Sequence, residues 1–596
     1  MGRFPVMPIL RLLGAAGVLL LVLASPAAAH KRGHHHHKPK DVKVQLLSIN
    51  DFHGHLQPGT TGGIRPPTPA GEPAPPAIPA GGAAILGSYV RELERSTRNS
   101  MLVSAGDLIG ASPLLSALYH DEPTIEAMNL LGLDLNAVGN HEFDEGAEEL
   151  ERMQRGGCHP TEGCKDGDGF KGAEFRFLAA NVISRANGKP FFRPYVVRRF
   201  QGEKIGFIGM TLEGTPQIVS PEGIKNLQFL DEAATANRYA RELKRRHGVK
   251  AIVVLLHEGA FQSVPFNTET LNTCSGISGP VVDIVNNTTK AVDVFITGHT
   301  HQAYNCLIDG RPVTSASSFG RLLTDVDLTI GRNGDVKAVS RNNIPMYTAG
   351  REPVEDVQAL INRYDTLSAP LRRTPVGKIA DDITRDPDPD LSRENALGNL
   401  IADAQLADTD DADRGDADGA LMNPGGVRAD LTYASSSSGE GDGVVTYEEA
   451  FTVQPFNNIV ATQSFTGAQL LDVLKDQWCG TNTQPTVLLP SSTINYTYDL
   501  SIAGSILGQP CASAANPVTG VTIGGAALDP AATYRITTNN FLADGGDDFQ
   551  SLRQGTDRTS LSDFDIDSLV RYMAPSLPDG APAITAPATD RIDVTE

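Results

Sequence analysis

Five short motifs rich in aspartate, asparagine and histidine are spread over the first half of the chain. Imidazole, carboxylate and amide oxygens suit divalent ions such as Zn²⁺ and Mn²⁺. A carboxylate can bridge two such ions, and the pair can activate water and neutralise phosphate oxygens. One such motif alone is weak evidence, but five together indicate a two-metal hydrolytic site. They read Asn50-Asp51-Phe52-His53, Gly106-Asp107, Gly139-Asn140-His141-Glu142-Phe143-Asp144, His257-Glu258 and Gly298-His299-Thr300-His301.

Each of these motifs follows a short stretch rich in valine, isoleucine and leucine, which is typical of a buried strand in a layered α/β domain. The carboxyl ends of parallel strands meet at one edge of a sheet, where ligands gather. We therefore expect the motifs to converge at one edge of the first sheet. The predicted strands cover residues 44–49, 102–104, 135–138, 175–180, 205–210, 252–256 and 294–297.

A second set of polar and aromatic residues begins after residue 375. Two loop aromatics can stack on the two faces of a planar base, an arginine can grip phosphate, and an aspartate can accept hydrogen bonds from ribose hydroxyls. A lone phenylalanine is more often a core residue, but this combination favours nucleotide binding. The acidic run at 408–419 is typical of an exposed loop. The motifs are Arg393 before an apparent helix, Asn423-Pro424-Gly425-Gly426-Val427-Arg428, Phe456-Asn457-Asn458 and Phe541 to Asp547.

Length and charge narrow the class of protein. A chain of 596 residues is too long for one hydrophobic core, so two or more domains are expected. The formal net charge of -21 repels polyanions, which disfavours a nucleic-acid binder or an extracellular nuclease. A small phosphorylated substrate is compatible with this charge, because bound metal ions reverse the field locally.

The amino-terminal region predicts export. Arg3 and Arg11 precede an apolar run, and a small-residue cleavage site follows, so residues 1–29 are interpreted as a signal peptide rather than a membrane anchor. A His-rich arm at 30–41 follows, either disordered or metal-collecting. Later segments predict no stable membrane insertion, so we expect a secreted, periplasmic or cell-surface protein. Six cysteines agree with an oxidising compartment, and among fifteen possible connectivities their order suggests Cys158–Cys164, Cys274–Cys306 and Cys479–Cys511.

The ordered motif set resembles that of the 5′-nucleotidase/UDP-sugar hydrolase family, over nearly all of the mature chain. In that family a calcineurin-like metallophosphoesterase domain precedes a C-terminal 5′-nucleotidase domain. The resemblance implies an α/β protein with a layered β-sandwich flanked by helices at 42–345. A linker helix at 346–374 and a separate α+β nucleotide-binding domain at 375–596 would follow.

The resemblance also implies roles for individual residues. Two divalent ions are expected, zinc or manganese first, with magnesium, cobalt or calcium as alternatives. His141 would stabilise developing charge or protonate the leaving oxygen, oriented by Asp144. His55, Glu142 and Glu258 are either supporting partners or loop residues. The implied ligands of one ion are Asp51, His53, Asp107 and His301, and those of the other are Asp107, Asn140, His257 and His299. The implied substrate-binding residues are Arg393, Asn423, Gly426, Arg428, Phe456, Asn458, Phe541 and Asp547.

These implications predict a secreted 5′-nucleotidase that releases phosphate from nucleoside 5′-monophosphates by metal-activated water. Two other reactions could use the same site, namely UDP-sugar diphosphate cleavage and 2′,3′-cyclic-nucleotide hydrolysis. A non-catalytic nucleotide-binding surface protein is a further alternative. It is disfavoured because such a binder could lose Asn140 or His141, and both are present.

Overall fold

The computed structural model describes residues 41–595, except residues 61, 70–74, 332–334, 387–391, 436–438 and 483. The predicted signal peptide and all but the last residue of the His-rich arm lie outside the described residues. Among the described helices, none combines the length and the apolar character that a bilayer crossing requires.

The first half of the chain alternates strands and helices. Its strands are β1 Val42–Ile49, β2 Ser100–Ser104, β3 Leu133–Ala137, β4 Arg176–Leu178, β5 Val182–Ser184, β6 Tyr195–Phe200, β7 Glu203–Thr211, β8 Leu227–Phe229, β9 Ala251–His257, β10 Val294–Thr297, β11 Ala303–Ile308, β12 Arg311–Ala316, β13 Leu322–Ile330 and β14 Val336–Pro345. Its helices are α1 Ala83–Arg95, α2 Leu114–Ala117, α3 Glu122–Leu131, α4 Gly146–Arg155, α5 Thr215–Ile218, α6 Pro221–Ile224, α7 Glu232–Glu242, α8 Pro280–Asn287 and α9 Glu355–Arg372.

Two six-stranded sheets form a sandwich in this half, with strand orders β14-β13-β1-β2-β3-β4 and β11-β12-β10-β9-β7-β6. Their inner faces bury a shared core that includes Leu46 and Val103 from one sheet and Phe207 and Val253 from the other. The expectation of one sheet edge for all five motifs is therefore wrong. Strands β1, β2 and β3 belong to one sheet, whereas β9 and β10 belong to the other. The strands divide between two sheets because each sheet buries one apolar face against the other.

Strand register brings the motif residues to the same level. In the parallel pair β1–β2, Ile49 lies opposite Ser104, so the chain leaves both strands side by side. In the parallel pair β9–β10, Leu256 lies opposite Thr297. Helices α1, α3, α4 and α9 cover the outer face of the first sheet, and α7 and α8 cover that of the second. Each sheet is thus buried on both faces, as its continuous apolar strands predict.

The second half has a mixed architecture. Its strands are β15 Pro375–Lys378, β16 Gly419–Met422, β17 Val444–Thr446, β18 Ile459–Thr466, β19 Leu489–Pro490, β20 Ile494–Asp499, β21 Val518–Ile523, β22 Ala526–Ala527, β23 Thr533–Asn539, β24 Thr556–Phe564 and β25 Ile592–Thr595. A five-stranded sheet has the order β19-β16-β23-β18-β24, and a four-stranded sheet has the order β22-β21-β20-β25. The helices are α10 Ala396–Ala407, α11 Tyr447–Val453, α12 Gly467–Lys475, α13 Leu500–Ser505, α14 Asn540–Ala543 and α15 Asp565–Met573. The predicted fold class, a layered β-sandwich with helices followed by a separate α+β domain, is confirmed.

Disulfide bonds join Cys158 to Cys164, Cys274 to Cys306 and Cys479 to Cys511, which confirms the pairing suggested by their order. The acidic run at 408–419 differs from its prediction at Asp408, Thr409, Gly415 and Gly419, which are buried. Asp408 is buried, because its carboxylate accepts hydrogen bonds from Arg414 and Arg571 that compensate its charge.

Candidate active site

Polar side chains from both sheets meet in one cluster at their common edge. The first group contains Asp51, His53 and His301, whose potential ligand atoms all lie within 4.8 Å of one another. Nε2 of His301 lies 3.1 Å from Nε2 of His53 and 3.5 Å from Oδ1 of Asp51. Two imidazole nitrogens this close to a carboxylate form a donor set that a divalent cation can occupy.

The second group contains Asp107, Asn140, His257 and His299. Oδ1 of Asn140 lies 3.2 Å from Nε2 of His257 and 3.0 Å from Nδ1 of His299. Oδ2 of Asp107 lies 2.9 Å from Nε2 of His257 and 3.7 Å from Nε2 of His53. A single carboxylate oxygen therefore reaches both groups, which is the geometry that a bridging ligand needs.

The backbone is strained at five residues of this cluster. Asp51, His53, Asp107, His299 and His301 all have φ values between 47° and 73°, in the left-handed region that residues other than glycine seldom adopt. Such strain costs free energy at each residue and persists only where the surrounding structure enforces it, most often at functional sites. It turns the side chains sharply away from the strand direction and into the cluster.

Two backbone carbonyls fix the imidazole tautomers. Nδ1 of His53 donates to the carbonyl oxygen of Gly110 at 2.8 Å, and Nδ1 of His257 donates to that of Ala105 at 2.8 Å. Nε2 of each ring is thereby left for the cluster. Burial lowers the pKa of His53 well below its ordinary value and that of His299 to about 3, which favours the neutral form that binds metal.

Glu142 organises the turns that carry the second group, a role that its sequence position left open. Its buried carboxylate accepts hydrogen bonds from the backbone N–H groups of Asp107 at 2.9 Å, Leu108 at 3.0 Å and Gly139 at 2.6 Å. It also accepts one from Nδ2 of Asn136 at 3.0 Å. One side chain thus joins the ends of β2 and β3.

Replacing Glu142 by glutamine should lower the free energy of unfolding by about 2 kcal/mol or more, because an amide NH₂ would face backbone donors that lose their acceptor. Burial and the charge of Asp107 raise the pKa of the Glu142 carboxyl to about 7, so denaturant unfolding is best measured at pH 8. Glu148→Gln, on the exposed face of α4, serves as the control and should change little. Equal stability of the two variants would contradict the role given to Glu142.

His141 and Asp144 form a pair beside the cluster. Nδ1 of His141 lies 2.8 Å from Oδ2 of Asp144, and the His141 backbone N–H donates to Oδ1 of Asp107 at 2.9 Å. Burial opposes protonation of His141, but the charges of Asp144 and Asp107 outweigh it and raise the pKa of His141. The pair therefore presents an oriented imidazole that readily holds a proton.

A cavity of about 390 Å³ opens between the two domains directly over this cluster. The volume suits a mononucleotide-sized ligand. Both predicted sets of site residues contribute to its walls, although they lie far apart in sequence. The lining residues include Asp107, Asn140, His141, Asp144, His299 and His301 from the first domain and Asn423, Gly425, Gly426, Arg428, Phe456, Asn458, Phe541 and Asp547 from the second.

The second-domain residues are arranged around an aromatic ring that faces the cluster. The ring of Phe456 stacks on that of His141, with centroids 5.8 Å apart, and the guanidinium of Arg428 lies 5.7 Å from the Phe456 centroid. Nδ2 of Asn423 donates to Oδ2 of Asp547 at 2.7 Å. Burial raises the pKa of Asp547 to about 6, so its carboxylate is mostly ionised at pH 7.5.

Arg393 lies elsewhere. Its side chain is exposed and does not line the cavity among the described residues. It has a φ of 62°, in the turn before α10, where the following residue Glu394 points inward to accept hydrogen bonds from the backbone of Arg591 and Ile592. Arg385 is instead near Arg428, whose pKa is lowered first by burial and then by the charge of Arg385.

Comparison with known proteins agrees with this architecture. The calcineurin-like phosphoesterase family matches residues 44–303, and the 5′-nucleotidase C-terminal domain family matches residues 375–554. The cell wall protein Lmo0130 of Listeria monocytogenes is 30% identical over 556 residues, which span 89% of this chain and 67% of that protein. The chain belongs to the 5′-nucleotidase family.

Two further proteins are similar to this member of the 5′-nucleotidase family. Endonuclease YhcR of Bacillus subtilis is 32% identical over 515 residues, which span 84% of this chain but only 37% of that longer protein. The crystal structure of a 5′-nucleotidase precursor from Thermus thermophilus superimposes with a TM-score of 0.70 at 26% identity, covering 93% of this chain and 99% of that one. The resemblance seen in the motifs is confirmed, and the family consists of metallophosphoesterases, which are hydrolases that use divalent metals.

Two residues that hold side chains of this 5′-nucleotidase family site in place, Phe319 and Asn539, were not predicted from the sequence. Phe319 has a φ of 61°, its N–H donates to the Asp51 carbonyl at 2.7 Å, and its ring stacks on His55 at 3.9 Å. Asn539 donates to Oδ1 of Asn423 at 3.0 Å. A short Ser-rich turn after an apolar strand precedes Phe319, a weak signal that resembles many ordinary turns.

Proposed function

We propose that this protein is an exported 5′-nucleotidase that releases phosphate from nucleoside 5′-monophosphates at a two-metal site. The observation that carries the proposal is that one cavity is lined by both polar sets. Asp107 and His141 stand on one wall, while Arg428, Phe456 and Asp547 stand on the other. A site for simple phosphate esters would need only the first wall, so the second favours a substrate with a base and a ribose.

The donor set fits two divalent ions. Each group offers carboxylate, imidazole or amide donors, and Asp107 reaches both groups, so each ion would have four protein ligands. Mixed nitrogen and oxygen ligands favour zinc or manganese. When bound, the ions supply a nucleophilic water at neutral pH and neutralise the oxygens of the phosphate. The ligands would be Asp51, His53, Asp107 and His301 for one ion and Asp107, Asn140, His257 and His299 for the other.

The remaining residues position the substrate and move a proton. Arg428 would hold the phosphate by paired hydrogen bonds, and Phe456 and Phe541 would stack on the base. Asp547, oriented by Asn423, would accept hydrogen bonds from the ribose hydroxyls. His141, held by Asp144, would stabilise charge on the phosphate and give its proton to the leaving 5′-oxygen.

Export is part of the proposal. Three disulfide bonds support folding in an oxidising compartment. The amino-terminal sequence has the order of charged, apolar and small residues that signal peptides have. One relative is named a cell wall protein. We therefore place the protein outside the cytoplasm.

A substrate panel tests the proposed reaction. With Mn²⁺ or Zn²⁺ present, AMP should be hydrolysed with the highest kcat/KM, ahead of a UDP-sugar, a 2′,3′-cyclic nucleotide and single-stranded DNA. A chelator should lower the rate at least about 10³-fold, and added metal should restore it. Preference for the UDP-sugar, the cyclic nucleotide or DNA would replace the proposed substrate. Binding of AMP without turnover under any of these metals would instead indicate a nucleotide-binding protein.

A further inference from the structure

A second group of histidines and carboxylates lies outside the proposed catalytic cluster. One potential ligand atom from each of His120, Glu145 and His159 lies within 4.8 Å of the others. A fourth residue, Glu162, places Oε2 at 3.3 Å from Nε2 of His120. All four line a cavity of about 460 Å³ that also touches the side of the His141–Asp144 pair.

The fold assembles this group from three separate segments. His120 lies two residues before α3 and Glu145 directly precedes α4, while His159 and Glu162 lie in the loop closed by the Cys158–Cys164 disulfide. His120 has a φ of 52°, so the backbone is strained where it turns this imidazole inward. The His120 side chain keeps only 13% of its surface exposed.

One nitrogen of His120 is left without a hydrogen bond. Nδ1 lies 2.7 Å from Oε2 of Glu145, with which it pairs. Nε2 is buried and makes no hydrogen bond within the described part of the chain, although Glu162 is near. The His159 ring lies face to face with that of His120, with centroids 3.9 Å apart. The His120 imidazole therefore has a carboxylate beside each of its two nitrogens.

We propose that His120, Glu145 and His159 form a third divalent-metal site, separate from the catalytic pair and suited to zinc. Two imidazoles with one carboxylate make a nitrogen-rich donor set that zinc prefers, whereas magnesium and calcium prefer oxygen ligands alone. Glu162 lies at the other ring nitrogen of His120, where it would orient the imidazole rather than bind the same ion. Three protein ligands leave one position of a tetrahedral zinc ion for water.

Side-chain rotations bring the ligands to bonding distance. In a tetrahedral zinc site with bonds of about 2.0–2.1 Å, ligand atoms are roughly 3.4 Å apart. Glu145 already contacts Nδ1 of His120 at 2.7 Å, and its exposed side chain can turn toward His159. The stacked rings of His120 and His159 must tilt, because an imidazole nitrogen binds an ion in the plane of its ring. The bound ion would tie the disulfide loop to the starts of α3 and α4.

Zinc content measured by atomic emission after dialysis against buffered free zinc tests the site. His120→Ala and His159→Ala should each bind one equivalent less than the wild-type protein, and so should the conservative variant Glu145→Gln at limiting free zinc. Because the tract His34 to His37 can also bind zinc, the readout is the difference from the wild-type protein. Glu148→Gln, which lies on α4 outside the group, is the matched control and should show no loss.

Equal zinc content in the wild-type protein and all three variants would overturn the proposal. The outcome does not depend on hydrolysis, so it stands apart from the test of the proposed function. Circular dichroism checks that the alanine variants are folded, and Glu145→Gln alters an exposed residue, so the comparison survives a folding failure of either histidine variant. A Cys158→Ser/Cys164→Ser double variant should bind the same ion at least about tenfold more weakly, because the loop loses its constraint.

Discussion

Asp107→Asn should lower kcat/KM for AMP by at least about 10³-fold, equivalent to about 4 kcal/mol of transition-state stabilisation. Oδ2 of Asp107 is the atom that reaches both ligand groups, at 2.9 Å from Nε2 of His257 and 3.7 Å from Nε2 of His53. Burial disfavours its charge, yet the imidazoles of His257 and His141 hold the pKa of Asp107 well below its ordinary value. An amide oxygen carries no negative charge, so it is a poor bridge between two cations. Phosphate release at saturating Mn²⁺ measures the effect.

The matched control is Asp327→Asn, which removes an exposed carboxylate from β13 of the same sheet. It should retain the wild-type rate. The kcat/KM of His257→Asn for AMP should fall nearly as far as that of Asp107→Asn, because Nε2 of His257 belongs to the second ligand group. Metal content should drop in both active-site variants and not in the control. More than a tenth of the wild-type rate in Asp107→Asn, with its metal content unchanged, would contradict the bridging role.

The sequence predicted the cluster because its signal is local. Each motif needs only a polar residue directly after an apolar strand, and the ends of β1, β2, β3, β9 and β10 can be recognised from a few neighbouring residues. Predicting which strands share a sheet is harder. It depends on packing between faces, here Leu46 and Val103 against Phe207 and Val253, and these partners are more than a hundred residues apart.

Partners distant in sequence explain the other differences. Asp408 was predicted to be exposed because its neighbours are acidic and polar, whereas its partner Arg571 lies 163 residues further along the chain. The support given by Phe319 to Asp51 likewise joins two segments separated by almost half the chain. No local pattern distinguishes such a residue from an ordinary loop phenylalanine.

The direct contacts between the two domains also could not be predicted from the sequence. The motifs assigned Phe456 and Arg428 to a nucleotide pocket that presents phosphate to the hydrolytic site of His141, but they did not say which of these side chains touch. In the structure the Phe456 ring stacks on His141, so both sets belong to one cavity. That juxtaposition determines which bond of a bound nucleotide would lie next to the ligand groups.

Phe456→Ala should raise KM for AMP about 5- to 140-fold, while kcat/KM for a simple aryl phosphate should stay within about twofold of the wild-type value. Stacking a base on an aromatic ring is worth about 1–3 kcal/mol, and an aryl phosphate has no base to stack at this wall. Phe456 lies on the second-domain wall of the cavity, whereas the ligand groups lie on the first. Steady-state kinetics on both substrates, with the same enzyme sample, give the ratio directly.

Phe261→Ala is the control, because it removes an equally large aromatic ring that is 44% exposed and does not line this cavity among the described residues. Phe261→Ala should leave the kinetic constants for both substrates unchanged. Phe456 also contacts His141, so a purely structural role would predict that kcat/KM falls equally for both substrates when Phe456 is removed. An equal fall on AMP and on the aryl phosphate would therefore show that Phe456 positions His141 rather than the base. A selective loss on AMP requires instead that the ring contacts the part of the nucleotide that an aryl phosphate lacks.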